Sequence, residues 1–238
     1  VLVRDDESRS VLINTGVDAA RIAVTADIVL TLQKTDIPPQ AENMAANLLG
    51  PANGKRRLCL HMSLPEGSED KIRRLLEVVA SVLGSRDDIE PLFLFDHGEA
   101  NFSTIQKLSQ DLFRNSRVVR KQSHWVTAAL IGMMDAVVTT KLHVGIAAWA
   151  LGVPPCAIAT HAKTERLYKQ IGREDYFRKF GQNEDDIREW MIFFADNNPK
   201  LSKEIPGRRE QLSGLARVNC EKIADFIASH GDAGLISI

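Results

Sequence analysis

Cysteine is scarce in this chain: Cys59, Cys156 and Cys220 are the only three in 238 residues, and none stands in a CxxC spacing. A disulfide framework and a cysteine-based metal site are therefore not indicated, and two of the three lie in apolar strand-like runs where a thiol serves as a small buried hydrophobe. Apolar runs are also short. None approaches the ~18 residues needed to cross a bilayer, and no charged, apolar, then small-residue pattern opens the chain, so a cytoplasmic protein without a transmembrane segment is expected. Net charge is nearly absent, with 30 basic side chains against 31 acidic ones. No global field then draws the chain to nucleic acid or anionic lipid, and any anion site must be local. Internal repeats, low-complexity tracts, a Walker loop, a GxGxxG fingerprint and a GxSxG elbow are missing too.

What is present is the balance of a soluble globular protein with a sizeable core: 44% hydrophobic and 26% charged residues. That length suits one full domain and a smaller piece. Val1-Leu2-Val3-Arg4 reads as a strand entered midway, which leads us to expect the carboxy-terminal portion of a longer chain. Residues 1–32 read as a β-α-β pattern: a strand at Val1 to Val3, a helix from Asp6 to Asn14 stopped near Gly16, and a strand at Ile22 to Thr25. Such a unit cannot bury a core alone, and its sheet edge invites self-association into a homo-oligomer. Residues 33–56 carry the breakers Pro38-Pro39, Gly50-Pro51 and Asn53-Gly54 and read as a linker.

From residue 57 to 238 strands alternate with helices, which predicts a Rossmann-like, mostly parallel sheet covered on both faces. Strands are expected at Leu58 to His61, Pro91 to Phe95, Arg117 to Val119, Asp135 to Thr140 and Pro155 to Ala159. Helices are expected after each of them, the first capped by Ser68 and closed by Gly84. Two further helices close the chain, from Glu184 to Phe194 and from Arg208 to Ile227. In open α/β sheets ligands bind beyond the carboxyl ends of the strands, where helix N–H groups favour an anion. Five segments qualify: Arg4-Asp5-Asp6, His61-Met62-Ser63, Asp96-His97-Gly98, Thr140-Lys141-Leu142-His143 and Thr160-His161-Ala162-Lys163. Lys141 and His143 put a cation and an imidazole at one strand end before an apolar helix. Arg4 offers a two-pronged grip on a carboxylate or phosphate that Asp5 could orient. The plainer alternative stands beside each: a solvated Lys141 and a helix-capping His143, an ordinary ion pair at Arg4, and a solvated Lys163 near His161. His61 and His97 carry no second signal, and His124 and His230 are bystanders.

Taken in order, these residues resemble the polysaccharide pyruvyl transferase family. Its "RDxxS" segment and later strand-ending aspartate are matched by Arg4 to Ser8 and Asp27. Its "D-apolar-apolar-x-x-RLH", "G-V-P", helix-opening Lys and "QLG" are matched by Asp135 to His143, Gly152-Val153-Pro154, Lys163 and Gln170-Ile171-Gly172. The resemblance implies the second domain of a GT-B-like two-domain transferase, with residues 1–32 the end of the first domain. It implies transfer of a pyruvyl group from phosphoenolpyruvate, a donor substrate with no further cofactor, to two hydroxyls of a glycan or lipid-linked saccharide in cell-envelope or exopolysaccharide synthesis. Such an enzyme would work in the cytoplasm at the inner face of the membrane. Carried over, Arg4 and Lys141 would neutralise the donor, Leu142, His161 and Lys163 would bind substrate, and His143 would lie against the reacting enol, where it or a neighbour it orients would supply the proton. An imidazole suits that step because its ordinary pKa, about 6.5, lies near working pH. The family pattern has Arg where this chain has Lys141, which keeps the charge but loses the planar fork. Two other readings remain open: a GT-B nucleotide-sugar glycosyltransferase, and a relative that binds without catalysing.

Overall fold

A computed structural model describes residues 1–62, 69–95, 99–113, 116–159, 161–181 and 183–230. Ser63, Ser68, Asp96, His97, Gly98 and Thr160, used above as a cap or as strand-end positions, lie outside the described residues, as does the side chain of His230.

The chain opens with the expected small unit. Strands β1 (Leu2–Val3) and β2 (Ala23–Val24) pair in parallel, with Leu2 opposite Ala23 and Val3 opposite Val24. Helix α1 (Asp6–Asn14) starts because the Asp5 carboxylate accepts the Ser8 N–H at 2.7 Å, satisfying an amide that has no partner inside the helix. It ends near Gly16, whose φ of +93° an L side chain rarely adopts. None of the residues of α1 is buried.

The stretch expected to be a linker holds a helix instead, α2 (Pro39–Leu49). Pro39 stands in its first turn, where a missing N–H costs nothing and the fixed φ favours helix, so a residue read as a breaker is a start signal. Ala41, Ala45 and Leu49 recur every four residues and are buried, packing α2 into the same core as α5 (His124–Gly132).

Six strands form one wholly parallel sheet in the order β5-β4-β3-β6-β7-β8. They are β3 (Arg56–His61), β4 (Ile89–Leu94), β5 (Arg117–Val119), β6 (Ala136–Thr139), β7 (Pro155–Ala159) and β8 (Phe177–Lys179). Side chains alternate between its faces, so Leu58 and Leu60 join one core while Cys59 joins the other. All three are buried, and burial pushes the Cys59 thiol up to about 12, which makes it inert packing rather than a nucleophile. Strand β8 is not expected from the sequence because Phe177-Arg178-Lys179 holds a single apolar residue, whereas the equally short β5 carries two adjacent valines.

The remaining helices are α3 (Glu69–Leu83), α4 (Glu99–Leu112), α6 (Leu142–Ala150), α7 (Ala162–Gln170) and α8 (Glu184–His230). Gly84 closes α3 as expected, for a reason beyond its flexibility: a Cβ there would lie 2.7 Å from the Ala80 carbonyl oxygen. The two closing helices expected from sequence are one helix of 47 residues that runs through Pro199 and Pro206. Pro199 has no N–H for the carbonyl of Ala195 four residues before it, and Arg56 Nη1 donates to that oxygen at 2.8 Å. Leu212 and Ala216 of α8 are buried, whereas Leu215, Ile223, Phe226 and Ile227 are exposed. No helix among the described residues is long and apolar enough to cross a membrane.

Candidate functional site

The chain runs from β3 outward to β5, then returns to β6 on the other side of β3 and runs outward to β8. Between β3 and β6 the winding reverses, which is where open parallel sheets bind ligands at their carboxyl edge. The two strand ends are tied there by polar groups. Thr139, fully buried at the end of β6, accepts the Lys141 N–H on its Oγ1 at 2.9 Å, and the same oxygen lies 3.4 Å from Nδ1 of the buried His61 at the end of β3. Lys141 is the N-cap of α6, in extended conformation, and no side-chain hydrogen bond caps that helix.

Beside this edge the small unit meets the main sheet in a narrow crevice. Arg4 and Asp27 reach it from the loops after β1 and β2, Leu142 and Ile146 from α6, and Lys163, Arg166, Leu167 and Gln170 from α7. The spacing explains the selection: residues four apart on α6, and three, four and seven apart on α7, share a helix face. Only about 10 Å³ of the crevice could hold the centre of a water molecule, so a larger ligand enters only if side chains swing out.

The crevice is lined by alternating charge. Arg4 Nη1 lies 3.4 Å from Asp27 Oδ2 and Arg4 Nε lies 3.6 Å from Asp5 Oδ2. Arg166 Nη1 is 3.6 Å from Asp5 Oδ1, and its Nε is 2.6 Å from Glu7 Oε2. Burial alone would raise the Asp5 carboxyl, but hydrogen bonds from Ser8 and the charges of Arg166 and Arg4 outweigh it and hold the group below the ordinary carboxylate range. Arg4 keeps 37% of its side chain exposed while Asp5 and Asp27 keep 12% and 13%. Arg4 is therefore the more solvent-accessible partner of both ion pairs.

Of the residues expected to serve a site, the fold brings Arg4, Leu142 and Lys163 together around the crevice. Lys141 and His143 flank Leu142 but do not line it; His143 is exposed in the first turn of α6. His161 is the exposed N-cap of α7 and makes no side-chain capping bond. Asp27 appeared in the sequence reading only as part of a pattern. Gln170 likewise appeared only as part of a pattern, and Arg166 was not singled out, although its spacing from Lys163 along one helix was the signal that could have found it. A roomier hollow of about 260 Å³ opens between Pro155, Arg173, Tyr176 and α8, but it lies at the amino-terminal edge of the sheet, away from these groups.

Comparison with known proteins agrees with this geometry at the level of fold and family. The model of the family described as polysaccharide pyruvyl transferase matches residues 1–162. No curated protein matches the chain. Among solved structures, Anabaena HepE in complex with UDP-glucose is similar at 16% identity and a TM-score of 0.61, covering 96% of this chain and 63% of that one. The UDP-GlcNAc 2-epimerase of Neisseria meningitidis, bound to UDP-GlcNAc, is 12% identical with a TM-score of 0.64, over 93% and 59% of the two chains. WaaG, a glycosyltransferase involved in lipopolysaccharide biosynthesis, is 14% identical with a TM-score of 0.59, over 95% and 62%. The chain thus spans about three fifths of the length of these proteins, and the likeness gives the fold: a Rossmann-like domain of GT-B type.

Proposed function

This chain belongs to the polysaccharide pyruvyl transferase family, and from that premise we propose that its crevice is one wall of a phosphoenolpyruvate site in a ketal-forming transferase. The observation that carries the reading is the convergence of Arg4, from the loop after β1, with Lys163 and Arg166 of α7 in one crevice beside the amino end of α6 and the winding reversal. Phosphoenolpyruvate is a compact polyanion, and three cations with helix N–H groups suit its carboxylate and phosphate. Asp27 stands in for the ligand: its carboxylate occupies the guanidinium of Arg4 until a stronger anion competes for it. Entry then means that Arg4 leaves Asp27 and opens the crevice.

In the reaction a proton adds to the terminal enol carbon, two sugar hydroxyls add in turn to the neighbouring carbon, and the carbon–oxygen bond to phosphate breaks. One hydroxyl proton replaces the proton spent and the other leaves with phosphate, so atoms and charge balance. His143, exposed one residue from Leu142, is the proposed donor of that first proton, and Lys141 supports the negative charge beside it. His161, at the start of the helix that carries Lys163, faces the acceptor side. The acceptor is a sugar with two suitably placed hydroxyls, in a glycan or a lipid-linked saccharide. The two-domain arrangement, with residues 1–32 ending a first domain, is part of the same proposal.

Isothermal titration with phosphoenolpyruvate tests the donor. Binding is expected to fall at least tenfold in Arg4→Ala, since a charge-assisted pair to a ligand anion contributes roughly that much. His143→Ala should instead leave binding nearly intact and remove ketal formation where turnover is measured. The likeness to proteins solved with UDP-glucose and UDP-GlcNAc supports a second reading, a nucleotide-sugar transferase. Thermal stabilisation by those sugars and not by phosphoenolpyruvate would overturn the first reading in favour of the second.

A further inference from the structure

Arg4 stands on a strand end that contributes little apolar burial, so something polar must fix where its side chain departs. Gln170 is the last residue of α7 and half-buried, one turn beyond Arg166 on the crevice face. Its Nε2 donates to the carbonyl of Arg4 at 3.0 Å and to the carbonyl of Thr25 at 3.3 Å. Both partners are carbonyl oxygens, so only the NH2 end of the amide can face them, and its two hydrogens match two acceptors. Those carbonyls follow the paired strands β1 and β2, and the residues beyond them bring Arg4 and Asp27 to the crevice. The clamp is itself anchored: Arg208 Nη2 of α8 donates to the backbone oxygen of Gln170 at 2.6 Å, satisfying a carbonyl that the helix end leaves open.

We infer that Gln170 is a positioning residue that stitches the ends of β1 and β2 to the main sheet and so sets where Arg4 presents its guanidinium to the donor. This rests on the reading of the crevice as the phosphoenolpyruvate site, but the clamp can be tested without it. Gln170→Met keeps the length and removes the donors; Gln170→Glu keeps the shape and turns oxygens toward two carbonyls. Hydrogen exchange on the chain without ligand should speed up at residues 3–6 and 24–27 in Gln170→Met, and more in Gln170→Glu, while β3 and β6 stay as they were. A residue that merely filled space would make Gln170→Met silent, and unchanged exchange in both variants would overturn the inference.

The second arm is a double-mutant cycle read by phosphoenolpyruvate titration. Gln170→Met should weaken binding about tenfold in the native background and add almost nothing once Arg4→Ala is present, because the two act as one unit. An equal loss in both backgrounds would mean that Gln170 does not work through Arg4 and would overturn the inference. If exchange speeds up as expected but the native chain binds no phosphoenolpyruvate, the clamp stands and the donor assignment falls.

Discussion

The two sheets of this molecule are held in different ways. In the six-stranded sheet Leu58, Leu60, Val137 and Val138 are each at most 2% exposed, and helices cover both faces. The two-stranded unit has no buried residue in β1 or α1. Polar ties hold it instead: Gln170 to Arg4 and Thr25, Asn219 to Thr25 and Ala26, and Arg166 to Asp5 and Glu7. Ile22 is buried but joins neither large core, and the apolar anchor to the main sheet is Ala26 and Leu30, which are 1% exposed and share its core. Hydrophobic burial is non-directional and fixes a sheet as a whole, whereas hydrogen bonds are directional and individually modest. The contrast therefore places Arg4 on the wall held by polar ties and the helix starts on the wall held by apolar burial.

The largest expected effect lies in the main sheet. Leu60→Ala removes a fully buried side chain from the central strand and should cost about 2–5 kcal/mol, the range for large-to-small changes in packed cores. Chemical denaturation would show it as a lower midpoint with an unchanged slope; an effect under 1 kcal/mol would mean that this core is not the source of stability.

A smaller, local effect is expected at the polar seam. Asn219 accepts the Thr25 hydroxyl at 2.8 Å and donates to the Ala26 carbonyl at 2.8 Å. Asn219→Ala should loosen residues 1–27, seen as faster amide exchange, at a cost of about 1–2 kcal/mol. The unfolding midpoint of the main sheet should barely move. A fall of that midpoint as large as that of Leu60→Ala would erase the distinction between the two regions.

The mildest test uses pH. Asp5 is held below its ordinary pKa, so its contribution is fully present above the unfolded value, near 3.9, and is lost as pH falls through the lower folded value. Exchange in α1 should therefore rise on acidification below about pH 4 while Asp5 takes up its proton. In Asp5→Asn that step should vanish. An identical acid response in the variant would show that Asp5 does not hold the unit.

Much of the fold was legible because both signals it uses are local. Alternation and apolar runs gave β3 to β7 within one or two residues, and helical spacing gave α3 and α6. The misplaced helix boundaries share one cause: punctuation was read without its tertiary setting. Pro39 opens α2 where a break was expected, and Pro199 is carried through α8 while Arg56, from another element, takes up the carbonyl it leaves open. Of the residues that line the crevice, Arg4, Leu142 and Lys163 stand in strand-end segments that the sequence marks as candidates. Arg166 is not so marked and Gln170 enters only through the family pattern, since an arginine and a glutamine inside a polar helix look like any solvated face until something docks against them.

The order of residues along this chain determined its strands, its helices and the carboxyl edge that carries the candidate chemistry, because side-chain period and capping act over a few residues. Only the tertiary structure decided that Arg4 meets Lys163 across a crevice, and that His143 does not line it. That choice depends on how α7 and α8 dock against a two-stranded unit, and directional hydrogen bonds between residues far apart in sequence leave no periodic trace from which to read it.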